Sequence, residues 1–72
     1  MPTQKEWTDV ESSMMTAAAY ADSRLFIRFK NGRVFSYDAP RDVYDGLIGA
    51  ESAGRYLNAE VKGVYDFREE SD

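Results

Sequence analysis

Between Arg24 and Tyr37 basic and aromatic residues interleave: Arg24, Phe26, Arg28, Phe29, Lys30, Arg33, Phe35 and Tyr37. That mixture suits one kind of chemistry. Rings stack on unpaired nucleobases at about 1–3 kcal/mol per base, while arginine and lysine take the phosphates. Arg55, Asn58 and Lys62 form a second group, spaced three and four apart so that one helix face could present all three. Asn58 can donate and accept, and the two cations can pair with phosphate or carboxylate. The candidate nucleic-acid-binding set is therefore Arg24, Phe26, Arg28, Lys30, Tyr37, Arg55, Asn58 and Lys62. Each has a structural alternative: rings in the core, cations solvated, Asn58 bonded to nearby backbone.

The same inventory argues against catalysis. The chain has no Cys and no His, which removes thiol nucleophiles, imidazole bases, disulfides and the usual zinc sites. A serine nucleophile would need Lys5, Lys30 or Lys62 as its base, and no Ser-x-x-Lys run occurs. The acids are scattered and no glycine-rich phosphate loop is present. No enzyme activity, no cofactor and no metal are expected.

The elements that must position the candidates follow from periodicity. Leu25, Ile27 and Phe29 alternate with Arg24, Phe26, Arg28 and Lys30, the period of a half-buried strand. Ser12 to Tyr20 predicts a preceding strand, closed by a turn at Ala21-Asp22-Ser23, and Arg33 to Asp38 predicts a following one. Pro40 suits a helix start, with Val43 and Leu47, and Tyr44 and Ile48, at i, i+4 up to Gly49. Ser52 is a candidate N-cap for a second helix with Ala53, Leu57 and Val61 on one stripe and Gly63 after its last turn. The expected fold is α+β: a three-stranded antiparallel sheet followed by two short helices packed on one face, in the order β-β-β-α-α.

Asn31-Gly32 leaves the hairpin register open. A two-residue turn sets Lys30 opposite Arg33 and collects Arg24, Phe26, Arg28, Lys30, Arg33, Phe35 and Tyr37 on one face. A three-residue loop with a glycine bulge moves Phe35 and Tyr37 to the face of Leu25, Ile27 and Phe29, because a one-residue slip inverts a strand. A chain of 72 residues buries only about 60% of its unfolded surface, so its thin core favours claiming those rings.

The ordered set Ser12-Ser13, Leu25-x-Ile27-x-Phe29, Gly32, Phe35-Ser36-Tyr37, Pro40, Ser52-x-Gly54-Arg55-Tyr56-Leu57-Asn58, Lys62 and Tyr65 resembles the KTSC domain. That family is named for the C-terminal domain of some lysyl-tRNA synthetases and also occurs alone as small bacterial or phage proteins. The resemblance spans roughly residues 10–66. It implies a fold more than an activity, with RNA binding suggested by the attachment to the synthetase. Where the family has a central Tyr-x-Tyr, this chain has Phe35-x-Tyr37, so one phenol is missing.

Charge sets the remaining expectations. The net charge is −4: residues 1–11 and 67–72 carry −2 each, while 12–66 balance seven basic against seven acidic residues. The expected organisation is a flexible segment at 1–9, the domain at 10–66 and a frayed acidic tail at 67–72. Two partners suit the chain: RNA or single-stranded nucleic acid at the basic residues, or another protein met by the acidic ends and exposed Trp7 or Phe26. Trp7 could equally be a lid on the core. With no membrane-spanning run and no signal-like N-terminus, a cytoplasmic monomer is expected.

Overall fold

Strict alternation at Leu25, Ile27 and Phe29 builds the strand it predicts, and that strand lies at the centre of the sheet. The computed structural model describes residues 7–70. Its strands are β1 (Thr8–Asp9), β2 (Met15–Ala21), β3 (Arg24–Phe29) and β4 (Val34–Tyr37). Helices α1 (Arg41–Gly49) and α2 (Ala53–Tyr56) follow, and strand β5 (Phe67–Glu70) ends the described chain. The sheet runs in the order β1-β2-β3-β4-β5 with every neighbouring pair antiparallel.

The α+β class and the two helices match expectation, but the sheet has five strands where three were expected. Neither extra strand carries a periodic signal within its own residues. β1 is two residues long, and β5 reads Phe-Arg-Glu-Glu, three charges that look like tail. Pairing with β4 recruits β5 all the same, aligning Tyr37 with Phe67 and Phe35 with Glu69. Residues 67–70 are therefore a strand rather than a frayed tail, and Thr8 and Asp9 are paired with β2. The rest of the expected end segments, 1–6 and 71–72, lies outside the described residues.

Ser12 and Ser13 precede β2 instead of opening it. The Ser12 hydroxyl accepts from the Met14 N–H at 3.2 Å and lies against Gly54, where a Cβ would come within 3.2 Å of it. A bulge between Met15 and Ala17 inverts the alternation there. Met15 thereby enters the helix-side core while Ala17 pairs with Arg28.

The hairpin register resolves to the three-residue loop. The Phe29 N–H donates to the Arg33 carbonyl at 2.8 Å, the Gly32 N–H donates to Phe29 at 2.9 Å, and Gly32 takes φ +87°. Leu25 then faces Tyr37 and Ile27 faces Phe35, which excludes the single basic-aromatic face that a two-residue turn would make.

Both faces of the sheet are covered. On one, Leu25, Ile27 and Tyr37 pack with Val43 and Leu47 of α1 and with Leu57 and Val61. On the other, Ala19, Phe26 and Val34 form a smaller cluster under Trp7. Ser52 caps α2 as expected, its hydroxyl accepting from the Arg55 N–H at 3.3 Å. The helix then widens into a π-helical turn, Leu57–Val61, where the Lys62 N–H donates to the Leu57 carbonyl at 2.8 Å. Gly63, at φ +80°, turns the chain away.

Candidate functional site

Phe35 and Tyr37 point toward the helices, yet the helices do not reach the far end of that face. There an open cleft of about 340 Å³ remains, lined by Phe29, Phe35, Tyr37, Lys62, Gly63 and Phe67. Strand alternation supplies all four rings. The helix end supplies the rest, because the extra residue of the π turn rotates Lys62 by about 100° relative to an unbroken α-helix. Its ammonium lies 5.5 Å from the centre of the Phe29 ring.

The rings form a linked set. Phe29 and Phe35 meet edge to face at 5.6 Å and 80°, Phe35 and Phe67 are 5.9 Å apart, and Tyr37 and Phe67 are also 5.9 Å apart. Phe67 is 63% exposed, so much of its ring is open to a ligand. Tyr37 is only 3% exposed. Its hydroxyl makes no hydrogen bond among the described residues, yet no buried polar side-chain atom lacks a partner there. The hydroxyl is therefore not sealed off from solvent, and Tyr37 is one of the residues that line the cleft. Burial raises the phenol above its ordinary value, so it is a neutral donor at neutral pH.

A wider groove of about 620 Å³ adjoins this cleft, sharing Phe29, Phe35 and Lys62 and adding Ser13, Met14, Lys30, Asn31 and Arg33. The mouth is thus cationic through Lys30, Arg33 and Lys62. The Asn31 side chain accepts from the Arg33 N–H at 2.9 Å, which fixes the loop carrying Lys30.

The structure divides the predicted set into three places. Lys30, Tyr37 and Lys62 line the cleft and its mouth. Arg24, Phe26 and Arg28 lie on the opposite face of the sheet. There Phe26 is 6% exposed and cannot offer the open ring expected of it. Arg28 stacks on Trp7 at 4.4 Å, and Arg24 donates through Nε to the Ser36 hydroxyl at 2.9 Å. Arg55 and Asn58 are exposed on the helical segment and line neither part of the cleft.

Phe67 is the cleft residue that sequence reasoning left unassigned, because it was counted with the acidic tail. The alternation Tyr65-x-Phe67 was its available signal. Among the described residues no group of three or more acidic side chains is placed to hold a metal ion.

A meander of antiparallel strands, two helices on one face and an aromatic cleft beyond their reach define a small α+β domain. The chain belongs to the KTSC domain family, which residues 11–65 match. A protein from Tsukamurella paurometabola is 45% identical over 56 residues, covering 74% of this chain and 84% of that protein. The crystal structure of a KTSC domain protein from Yersinia pestis superposes with a TM-score of 0.86 at 22% identity, covering 94% of this chain and 100% of the other. At that identity the likeness is one of fold. The family match ends at Tyr65, so the wall built by Phe67 lies outside it.

Proposed function

We propose that this protein is a non-enzymatic binding module whose cleft takes an unpaired base and its flanking phosphates from RNA or another single strand. One observation carries the reading: linked rings with an open phenylalanine face lie directly beside Lys30, Arg33 and Lys62, on a chain whose net charge is −4. Rings alone would suit many apolar ligands. Rings with cations at the mouth suit a ligand that is flat and anionic at once. The Tyr37 hydroxyl adds a donor for a base edge or ribose. The reading includes action as a monomer in the cytoplasm, consistent with a Cys-free chain that has no helix long and apolar enough to cross a membrane among the described residues.

The test is an amide-shift titration with a short single-stranded RNA at low and then physiological salt. Shifts should cluster on Phe29, Lys30, Phe35, Lys62 and Phe67 and fade as salt rises. Phe67→Ala should weaken binding about tenfold, in line with the loss of one stacked base. Absence of shifts at low salt would overturn the reading. Val64 and Phe67, two exposed apolar side chains three residues apart, favour a protein partner as the second reading. That reading gains if Phe67→Ala abolishes capture of a protein that wild type retains in high salt.

A further inference from the structure

Three basic side chains line the mouth of the cleft, and they are not equally available. Among the described residues Lys30 and Lys62 form no ion pair, whereas Arg33 Nη1 lies 3.5 Å from Glu69 Oε1. Register dictates the contact. Glu69 pairs with Phe35 across β4 and β5, so its side chain emerges on the cleft face, and Arg33, two residues before Phe35 and just ahead of β4, lies on that same face. Both side chains are more than half exposed, so the pair is solvated and can be displaced by an incoming anion.

We infer that Glu69 is an internal competitor: its carboxylate holds Arg33 where a ligand phosphate would sit. The inference rests on the reading of the cleft given above. An anion that takes Arg33 must first displace the carboxylate and then lie beside it uncompensated. A ligand carrying bases offsets this by stacking on Phe67 and its neighbours. A polyanion without bases has nothing to offset it. Glu69 therefore weakens every ligand that reaches for Arg33, leaving a polyanion without bases little affinity while a ring-bearing strand keeps its stacking, and it holds the phosphate contacts of the resting cleft to Lys30 and Lys62.

The experiment compares wild type, Glu69→Gln, Arg33→Ala, the double variant and Glu51→Gln. Each is titrated at low salt with inorganic tripolyphosphate and, separately, with a short single-stranded RNA. Glu51 is exposed and lines neither part of the cleft, so its variant reports the effect of one charge alone. Glu69→Gln should tighten tripolyphosphate binding about three- to fivefold. It should also steepen the RNA salt slope by about 0.7, one further phosphate contact on a single strand. In the Arg33→Ala background the gain should vanish. A gain matched by Glu51→Gln, or surviving without Arg33, or absent altogether, would overturn the inference. If wild type bound no RNA while the Arg33-dependent gain in tripolyphosphate appeared, the nucleic-acid reading would fall and the competition by Glu69 would stand.

Discussion

Ser36 is fully buried, and its environment shows how single residues hold β5 in place. Its hydroxyl accepts from Arg24 Nε at 2.9 Å and donates to Glu70 Oε2 at 2.5 Å, while Arg68 Nε donates to the same carboxylate oxygen at 2.7 Å. The hydrogen bonds from Ser36 and then Arg68 hold the Glu70 carboxyl below its ordinary 4.5, with the charges of Arg68 and Arg24 adding to the effect. A depressed carboxyl stabilises the fold fully above its unfolded value, and that stability disappears as pH falls through the folded value. Glu70→Gln should therefore melt below wild type at pH 7, with the gap closing as the solution is acidified below 4.5. Melting temperatures of both proteins from pH 7 to pH 3 check this. A gap that stays constant across that range would show that the carboxylate's ionisation is not what Ser36 and Arg68 recognise. The same alternation that turns Ser36 away from the helices turns Phe35 and Tyr37 toward the cleft. The aromatic triplet thus serves both faces of β4. The absence of a phenol at Phe35 leaves Tyr37 as the phenol of the triplet.

At the scale of elements, the tightest glycine contact is between α1 and α2. A Cβ added at Gly46 would lie 2.2 Å from the Tyr56 hydroxyl oxygen and 2.7 Å from its ring, so the ring crosses α1 where only glycine leaves room. Two effects of Gly46→Ala oppose each other. Helix propensity favours alanine by about 1 kcal/mol, and overpacking against a half-buried ring costs about 1–3 kcal/mol. The expected net result is a loss of about 1 kcal/mol by chemical denaturation. In a Tyr56→Ala background the clash is gone and the same substitution should stabilise by about 1 kcal/mol. An unchanged sign in the second background would show that Tyr56 is not the obstacle. Most of these elements were legible in the sequence, since β3, α1 and the cap at Ser52 follow from period, proline and hydroxyl alone. The turns were less so. Asn31-Gly32, the stronger hairpin signal, closes a three-residue loop, whereas Asp22 and Ser23 take positive φ of 53° and 60° as a two-residue turn, with Ala21 paired to Arg24. Local turn preference could not decide between registers because burial decided it: the three-residue loop delivers Phe35 and Tyr37 to the core side. β5 was illegible for the opposite reason. Its stability comes from a partner strand and from Ser36, and nothing in a run of Phe-Arg-Glu-Glu announces either. The candidate set reflects both: with the register open it joins Lys30, Tyr37 and Lys62, which line the cleft, to Arg24, Phe26 and Arg28 on the other face, and with 67–72 read as tail it omits Phe67.

For the whole molecule, the question is how a chain of net charge −4 could hold a polyanion at all. Its overall field repels nucleic acid at long range, and salt screens that repulsion over about 8–10 Å. On the proposed reading the attraction comes from the cleft, where Lys30, Arg33 and Lys62 stand against Glu69. With so few phosphate contacts, counterion release can supply only a small share of the affinity, and the rings must supply most of the rest. A duplex keeps its bases stacked internally, so it would meet the repulsive field and the cations but not the rings. A short single strand should accordingly bind at least about tenfold more tightly than a duplex of the same sequence, the difference expected from one stacked base, and Phe67→Ala should erase most of that preference. Fluorescence anisotropy with both ligands at matched ionic strength measures it. Equal affinities would mean that charge alone governs binding and that the cleft is not the site. A single-strand preference lost in Phe67→Ala and Lys62→Ala, but retained in Arg28→Ala on the far face of the sheet, would place recognition in the cleft and on the rings that strand alternation delivers there.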